Sequence, residues 1–532
     1  MIQTFDALRR KFASADRILL ISAAIVAISA VAPLLAVRFP PLNDYPFHLA
    51  RIVILADLSN PFYDRFYDLG SFLLPNVALD AIALPLAKLI GAEAAVRLFM
   101  VLSLLSILAG VAALHYAAFG RASAWPLLAA PLLYNGIFRF GFLNYIFGLG
   151  LALIAAAVWL RMGRDWRRLV FGFLASVALM LCHMSAFGVF AVIAGGSEIY
   201  RRLSTSFSGG KPGLPDADAI AGLLAAAAPF VAAIGLFALL SPTSQSEGAA
   251  FQYAAYWGAK PLGALFSLSA GLLWLDLASL AAYAGIGFYA LATGRLRAAP
   301  PLLAAAAFLA LAIAVLPTGL LGSWYADIRL APALALLLIA ATGMKTETGM
   351  HAGLAAAAAG LAALHGIALA AQWRGLDRTA KGVIAGLEAI EPGATVFTAY
   401  TDDHAKIISD DAAARALWRP PLTHMGSYAV LHAPVFVPMT WTDPAKQPLN
   451  VAPDYAAAKA FQGHNPFAAR DAGALNETIA RIADFAARSE APLGPVYLFV
   501  TGRALPPDFN PGAGAEMVAR GPFHMLIKIG DA

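Results

Sequence analysis

Apolar residues in this chain fall in long unbroken runs, not in short alternating stretches. Runs at 17–37, 71–90, 94–118, 142–160, 219–240, 276–294, 299–316, 328–343 and 351–372 approach or exceed the length needed to carry a helix across a bilayer core, about 20 residues. Residues 167–200 lie between two basic clusters, at 161–168 and at Arg201 and Arg202, so they must cross twice. Two helices of about 16 residues fit, with His183 at the outer tip. The pieces 125–140 and 261–274 are short or broken, the first by Pro131, Asn135, Gly136 and Arg139, and read as re-entrant or interfacial. Irregular backbone at that depth survives only when buried in protein or lining a cavity. The sum is about eleven spans.

After Trp373 the pattern changes. Charges become as frequent as in a soluble domain, prolines recur, and alternating runs predict strands at 395–400, 435–441, 496–501 and 524–529. Residues 454–461 and 475–489 predict helices, the second with apolar positions at helical spacing. The fold class is therefore mainly α: a polytopic membrane helix bundle over 1–372 with a small α/β domain over 373–532.

Composition makes the membrane assignment firm. Of 532 residues, 60% are hydrophobic and 13% charged, too few charges to clothe a soluble chain of this size. The formal net charge of +5 points to no nucleic acid partner, because the dense basic groups (Arg9, Arg10 and Lys11; 161–168; Arg201 and Arg202) flank apolar runs, as cytoplasmic loops do. The first run follows a basic start without a convincing cleavage site and reads as an uncleaved anchor. The N-terminus is expected in the cytoplasm and the C-terminal domain on the exoplasmic side. A composition rich in Ala, Leu and Arg suits a GC-rich bacterial genome, hence an inner membrane and a periplasmic domain. The single cysteine, Cys182, excludes an internal disulfide and reads as a buried thiol.

Charge beside a membrane helix is costly and marks candidate chemistry. On the expected outer side, residues 40–51 read Pro-Pro-Leu-Asn-Asp-Tyr-Pro-Phe-His-Leu-Ala-Arg. A helix starting near Pro46 places His48 and Arg51 on one face, with Asp44 just before it. A capping role for Asp44 and anchoring roles for the other two are the plain alternative. His183, Asp327, Arg329 and Arg139 are the other polar outer elements; an interfacial ion pair of Asp327 with Arg329, and snorkelling of Arg139, are their plain alternatives. One carboxylate, two imidazoles and several guanidinium groups suit group transfer from a lipid phosphate. Arginine grips phosphate bidentately, a carboxylate accepts a proton, and a phosphate leaving group needs positive charge. Asp44 is the expected catalytic base; His48, Arg51, Arg139, His183, Asp327 and Arg329 are the expected substrate contacts. A divalent metal on Asp44 and His48 is not favoured, since no paired carboxylate accompanies them. In the C-terminal domain, His404, His424, His432, His464, Asp402, Asp403, Asp410 and Asp411 lack zinc spacing, and most of them read as solvated surface.

The order of an N-terminal anchor, an acidic first outer loop with short helices, a bundle of long and short spans and an exoplasmic α/β domain resembles the GT-C class of integral-membrane glycosyltransferases. The run at 44–51 is similar to the first loop of bacterial membrane proteins assigned to that class. The resemblance implies a polyprenyl-phosphate-linked sugar as donor, and a glycan, lipid or protein on the exoplasmic side as acceptor. It also implies a first-loop acid acting as base or metal ligand; Asn43-Asp44-Tyr45 matches by position, with Asn in place of a second acid. A transporter or lipid flippase, and a non-catalytic membrane scaffold, are the competing classes. Transport folds show internal repeats and mid-membrane charge, and neither is visible in the chain.

Overall fold

The computed structural model describes residues 2–207, 217–245, 251–253, 258–320, 323–345, 348–401, 422–502 and 505–530. His404, Asp402, Asp403, Asp410 and Asp411 lie outside the described residues. Two compact units emerge, one of residues 1–36 and 100–371, the other of 37–99 and 372–532.

The first unit is a helical bundle. Among the described residues of the chain, six helices are long and apolar enough to cross a membrane: Arg17–Leu35, Ala92–Phe119, Leu143–Arg161, Ala217–Leu240, Leu273–Ala292 and Gly349–Ala385. The 167–200 stretch forms helices Trp166–Cys182 and Met184–Phe207, broken at His183, whose backbone is extended. Pro300–Val315 and Leu330–Ala341 are shorter apolar helices. Packing depends on small residues that let backbones approach. A Cβ on Gly196 of Met184–Phe207 would lie 2.7 Å from the Cα of Ala305 in Pro300–Val315, and one on Gly110 would lie 2.7 Å from the Gly150 carbonyl oxygen. Around Trp159, the rings of Phe190 and Phe230 fill the space at centroid distances of 6.3 and 5.6 Å. The 125–140 piece does not form a continuous helix. It folds as a 3₁₀ segment, Trp125–Leu132, and a five-residue helix, Gly136–Phe140, both mostly buried. Asn135 caps that short helix and Gly141 ends it in the left-handed region.

In the second unit, the run 71–90 yields only a 13-residue helix, Ala78–Ile90. Pro75 and Asn76 interrupt it, and Asn76 has φ 77°. The five-stranded sheet has the order Ala515–Gly521, His524–Ile529, Val496–Thr501, Thr395–Tyr400, Phe467–Ala468. Val496–Thr501 runs parallel to Thr395–Tyr400 and antiparallel to His524–Ile529. The expected strand at 435–441 reduces to a single bridge from Phe436 to Thr395. Pro434 and Pro438 lack the N–H that a ladder requires. Helices Ala456–Gln462 and Ala472–Arg488 complete the α/β part.

Residues 37–99 are stitched into this same unit. Tyr67–Leu69 pairs antiparallel with Leu449–Val451. Tyr63 Oη donates to the Val430 carbonyl (3.3 Å), and Tyr67 Oη accepts from the Val437 N–H (3.0 Å). Phe66 stacks on Phe436 at 5.4 Å.

Lys459 is largely buried and donates to the Thr440 carbonyl (2.7 Å). Burial lowers its pKa from 10.5 to about 8, against a smaller opposing effect of Asp443. Between those values the unfolded chain binds more protons than the folded one, so this group makes stability rise with pH from about 8 to 10.5. Lys459→Met should remove that contribution. Thermal unfolding of the two proteins at pH 7.5 and 10.5 should show the wild type gaining on the variant at the higher pH.

Candidate functional site

The sequence-expected residues fall into two groups, one in each unit.

In the second unit, Asp44 stands immediately before helix Tyr45–Ala56 and is 5% exposed. Its side chain makes no capping hydrogen bond, and its backbone (φ −98°, ψ 0°) lies in the sparsely allowed bridge region, not in the extended region usual for a cap. Pro46 contributes to this, because it removes one of the N–H groups a cap would accept from. The carboxylate instead accepts from Asn43 Nδ2 (2.7 Å) and lies 3.6 Å from His424 Nδ1. His424 donates from Nδ1 to the Asn43 carbonyl (2.9 Å), and its ring lies 4.2 Å from that of Phe47. His424 is 3% exposed, which corrects the surface reading for that residue; His432 and His464 are exposed. Phe47 stacks on Trp441 at 4.8 Å, and His48 meets Trp441 edge-on at 6.1 Å.

His48 and Arg51 do share a helix face: Arg51 Nη2 lies 3.3 Å from His48 Nδ1. Arg51 is fully buried and forked onto Asp80 of Ala78–Ile90, at 2.5 Å from Nε and 3.0 Å from Nη2. Its charge is thus met inside the protein. An apolar cavity of about 320 Å³ is walled by Phe39, Pro40, Pro41, Leu42 and Pro46, with Met425, Tyr428 and Phe523 among the residues facing them. Leu42 and Pro46 stand two residues either side of Asp44.

In the first unit, His183 and Arg329 come together, with Nη1 2.9 Å from Nε2. Arg329 is buried. It also donates from Nε to the Tyr325 carbonyl (3.0 Å) and from Nη2 to Ser323 Oγ (3.2 Å) and the Trp324 carbonyl, and it lies 4.5 Å over the Phe142 ring. Tyr145 Oη donates to the Arg329 carbonyl (2.7 Å) and sets its ring edge-on to His183. His183 Nδ1 accepts the Ser185 N–H (3.0 Å), and Nε2 faces the Arg329 guanidinium.

Asp327 and Arg329 do not pair with each other in the way the sequence suggests. Asp327 accepts from Thr318 Oγ1 (2.9 Å) and the Ile328 N–H (2.8 Å) and lies 3.7 Å from Lys260 Nζ. Lys260 donates to the Ala314 carbonyl (3.0 Å) and the Leu316 carbonyl at the end of helix Pro300–Val315, where the helix dipole favours a cation. Arg139 is half-buried and packs on the 269–272 turn: a Cβ on Gly271, whose φ is +79°, would collide with its Nη1. Asp276 holds that turn by accepting the N–H groups of Ala270, Gly271 and Leu272. Among the described residues, no group of three His, Cys, Asp or Glu side chains gathers as a metal-ligand set.

His424, Asp80 and Lys260 are the residues that sequence reasoning missed. Their partners lie 381, 29 and 67 positions away, so no local spacing announces them.

No protein-family model matches the chain. No curated protein matches it either. Among solved structures, the chain is similar to ArnT from Cupriavidus metallidurans bound to undecaprenyl phosphate. The identity is 13%, the match covers 96% of this chain and 97% of that chain, and the TM-score is 0.49. What the chain's own elements define is a polytopic helical membrane protein with an α/β domain in its C-terminal part.

The Arg51–Asp80 pair has a testable consequence. Removing one partner of a buried pair strands the other charge, at a cost of about 3–5 kcal/mol. Asp80→Ala should therefore lower the unfolding temperature sharply, whereas Arg51→Met with Asp80→Leu should recover most of the loss in the same thermal assay.

Proposed function

We propose that the chain is a membrane glycosyltransferase of the GT-C kind, moving a sugar from a polyprenyl-phosphate donor to an acceptor on the exoplasmic side of a bacterial inner membrane. One observation carries the reading: a buried carboxylate, Asp44, stands at a helix start without capping it, and is oriented by Asn43 and by an imidazole, His424. A buried acid held by polar neighbours beside an apolar cavity is a candidate for chemistry.

Asp44 is the general base. An acceptor hydroxyl oxygen bonds to the anomeric carbon of the sugar, and the hydroxyl proton passes to Asp44. The anomeric carbon–oxygen bond to phosphate breaks with its electron pair, and polyprenyl phosphate leaves. Asn43 and His424 are positioning residues that fix the carboxylate and the loop carrying it. The cavity walled by Leu42 and Pro46 suits a lipid-linked substrate, since an apolar lining takes hydrocarbon and rejects a free polar sugar. Positive charge is needed where the phosphate departs.

Asp44→Asn keeps size and hydrogen bonding while removing the base. Transfer from polyprenyl-phosphate sugars in reconstituted vesicles should fall by about 10²–10⁴-fold, with an unchanged melting temperature. Wild-type rates in that variant would remove Asp44 from the mechanism.

A further inference from the structure

The bundle carries a second charged centre far from Asp44 in sequence. Glu198, 1% exposed, sits near the end of helix Met184–Phe207 and is ringed by four arginines. Arg168 Nη2 donates to it at 2.6 Å, and Arg168 also lies 4.0 Å over the Trp159 ring. Arg164, Arg202 and Arg201 approach the same carboxylate at 3.5, 3.6 and 4.0 Å. Four guanidinium groups thus face one carboxylate in a positively charged centre. Asp165 does not neutralise it, because 161–168 and 198–202 together hold six arginines and two acids, 6 − 2 = +4. Arg168 is the inner anchor of the set, whereas Arg164 and Arg201 keep 51% and 35% of their side chains exposed.

The surroundings place this centre at headgroup depth. Trp166 is 66% exposed with Arg167 beside its ring, and Tyr116 is exposed with Arg161 over it at 5.4 Å. Amphipathic rings gather at the membrane–water boundary. Helix Trp166–Cys182 then exposes Leu169, Val170 and Leu174, an apolar flank for acyl chains.

We infer that Arg164, Arg201 and Arg202, held around Glu198 and Arg168, form a binding site for the phosphate of an anionic phospholipid. The guanidinium groups grip the headgroup, as basic pockets between membrane helices do, and the flank at 169–174 takes the tails. This site is independent of the transferase reading.

The test uses the full chain in nanodiscs of phosphatidylcholine, with and without phosphatidylglycerol, and counts retained lipid by native mass spectrometry. The wild type should retain phosphatidylglycerol in preference to phosphatidylcholine. Arg164→Gln with Arg201→Gln should weaken that retention about 25-fold, roughly fivefold for each charge removed, while Arg164→Lys with Arg201→Lys stays within about fivefold of wild type. Equal retention of both lipids by the wild type, which needs no variant to fold, would overturn the proposal. So would unchanged retention in a folded Gln variant. Millimolar inorganic phosphate stabilising the protein in phosphatidylcholine as much as phosphatidylglycerol does would also overturn it, in favour of a free-phosphate site.

Discussion

Charge inside an apolar chain must be answered by an opposite charge or by hydrogen bonds, and the polar architecture follows from that constraint. An isolated buried ion costs several kcal/mol even after relaxation, so the few charges this chain carries in its buried parts are placed with partners. Arg51 forks onto Asp80, Lys260 faces Asp327 and the carbonyls ending a helix, and Arg168 holds Glu198. These contacts fix helix against helix and turn against helix. They also sort the candidates, because a charge committed to such a pair is already employed in holding the fold.

Asp44 is arranged differently. It stands where a cap belongs, yet the proline two residues on and the bridge-region backbone divert it from capping. Its orientation comes from an amide next door and an imidazole 380 positions later in the chain. That dependence on the C-terminal part explains why residues 37–99 fold as one unit with 372–532: strand pairing at Tyr67–Leu69, ring packing at Phe66 and the His424 contact all run between the two stretches. The loop with the proposed base is built on the α/β part, whose sheet supplies the rigidity.

Much of this is legible in the sequence. Long apolar runs predicted the helices well, because bilayer thickness fixes their length, and the break at His183 followed from counting charges on either side of it. Three strands of the sheet match their alternating segments to the residue. The strand expected at 435–441 does not form because Pro434 and Pro438 withhold ladder donors within an otherwise strand-like hydrophobic pattern. The helix expected over 71–90 was shortened by Pro75 and Asn76 for a similar reason. Asp44, His48 and Arg51 were found because they share one short segment. Asp80 and His424 were not, since a partner across the fold leaves no spacing in sequence, and His424 in a polar stretch looked like surface.

The proposed reaction breaks a sugar–phosphate bond, and following that bond tests it. Purified protein in sealed vesicles would be given a polyprenyl-phosphate sugar labelled in both lipid and sugar, together with candidate acceptors. A transferase releases polyprenyl phosphate in equal amount to the sugar gained by an acceptor. Labelled donor that crosses the bilayer with its sugar–phosphate bond intact would contradict it and make the protein a transporter.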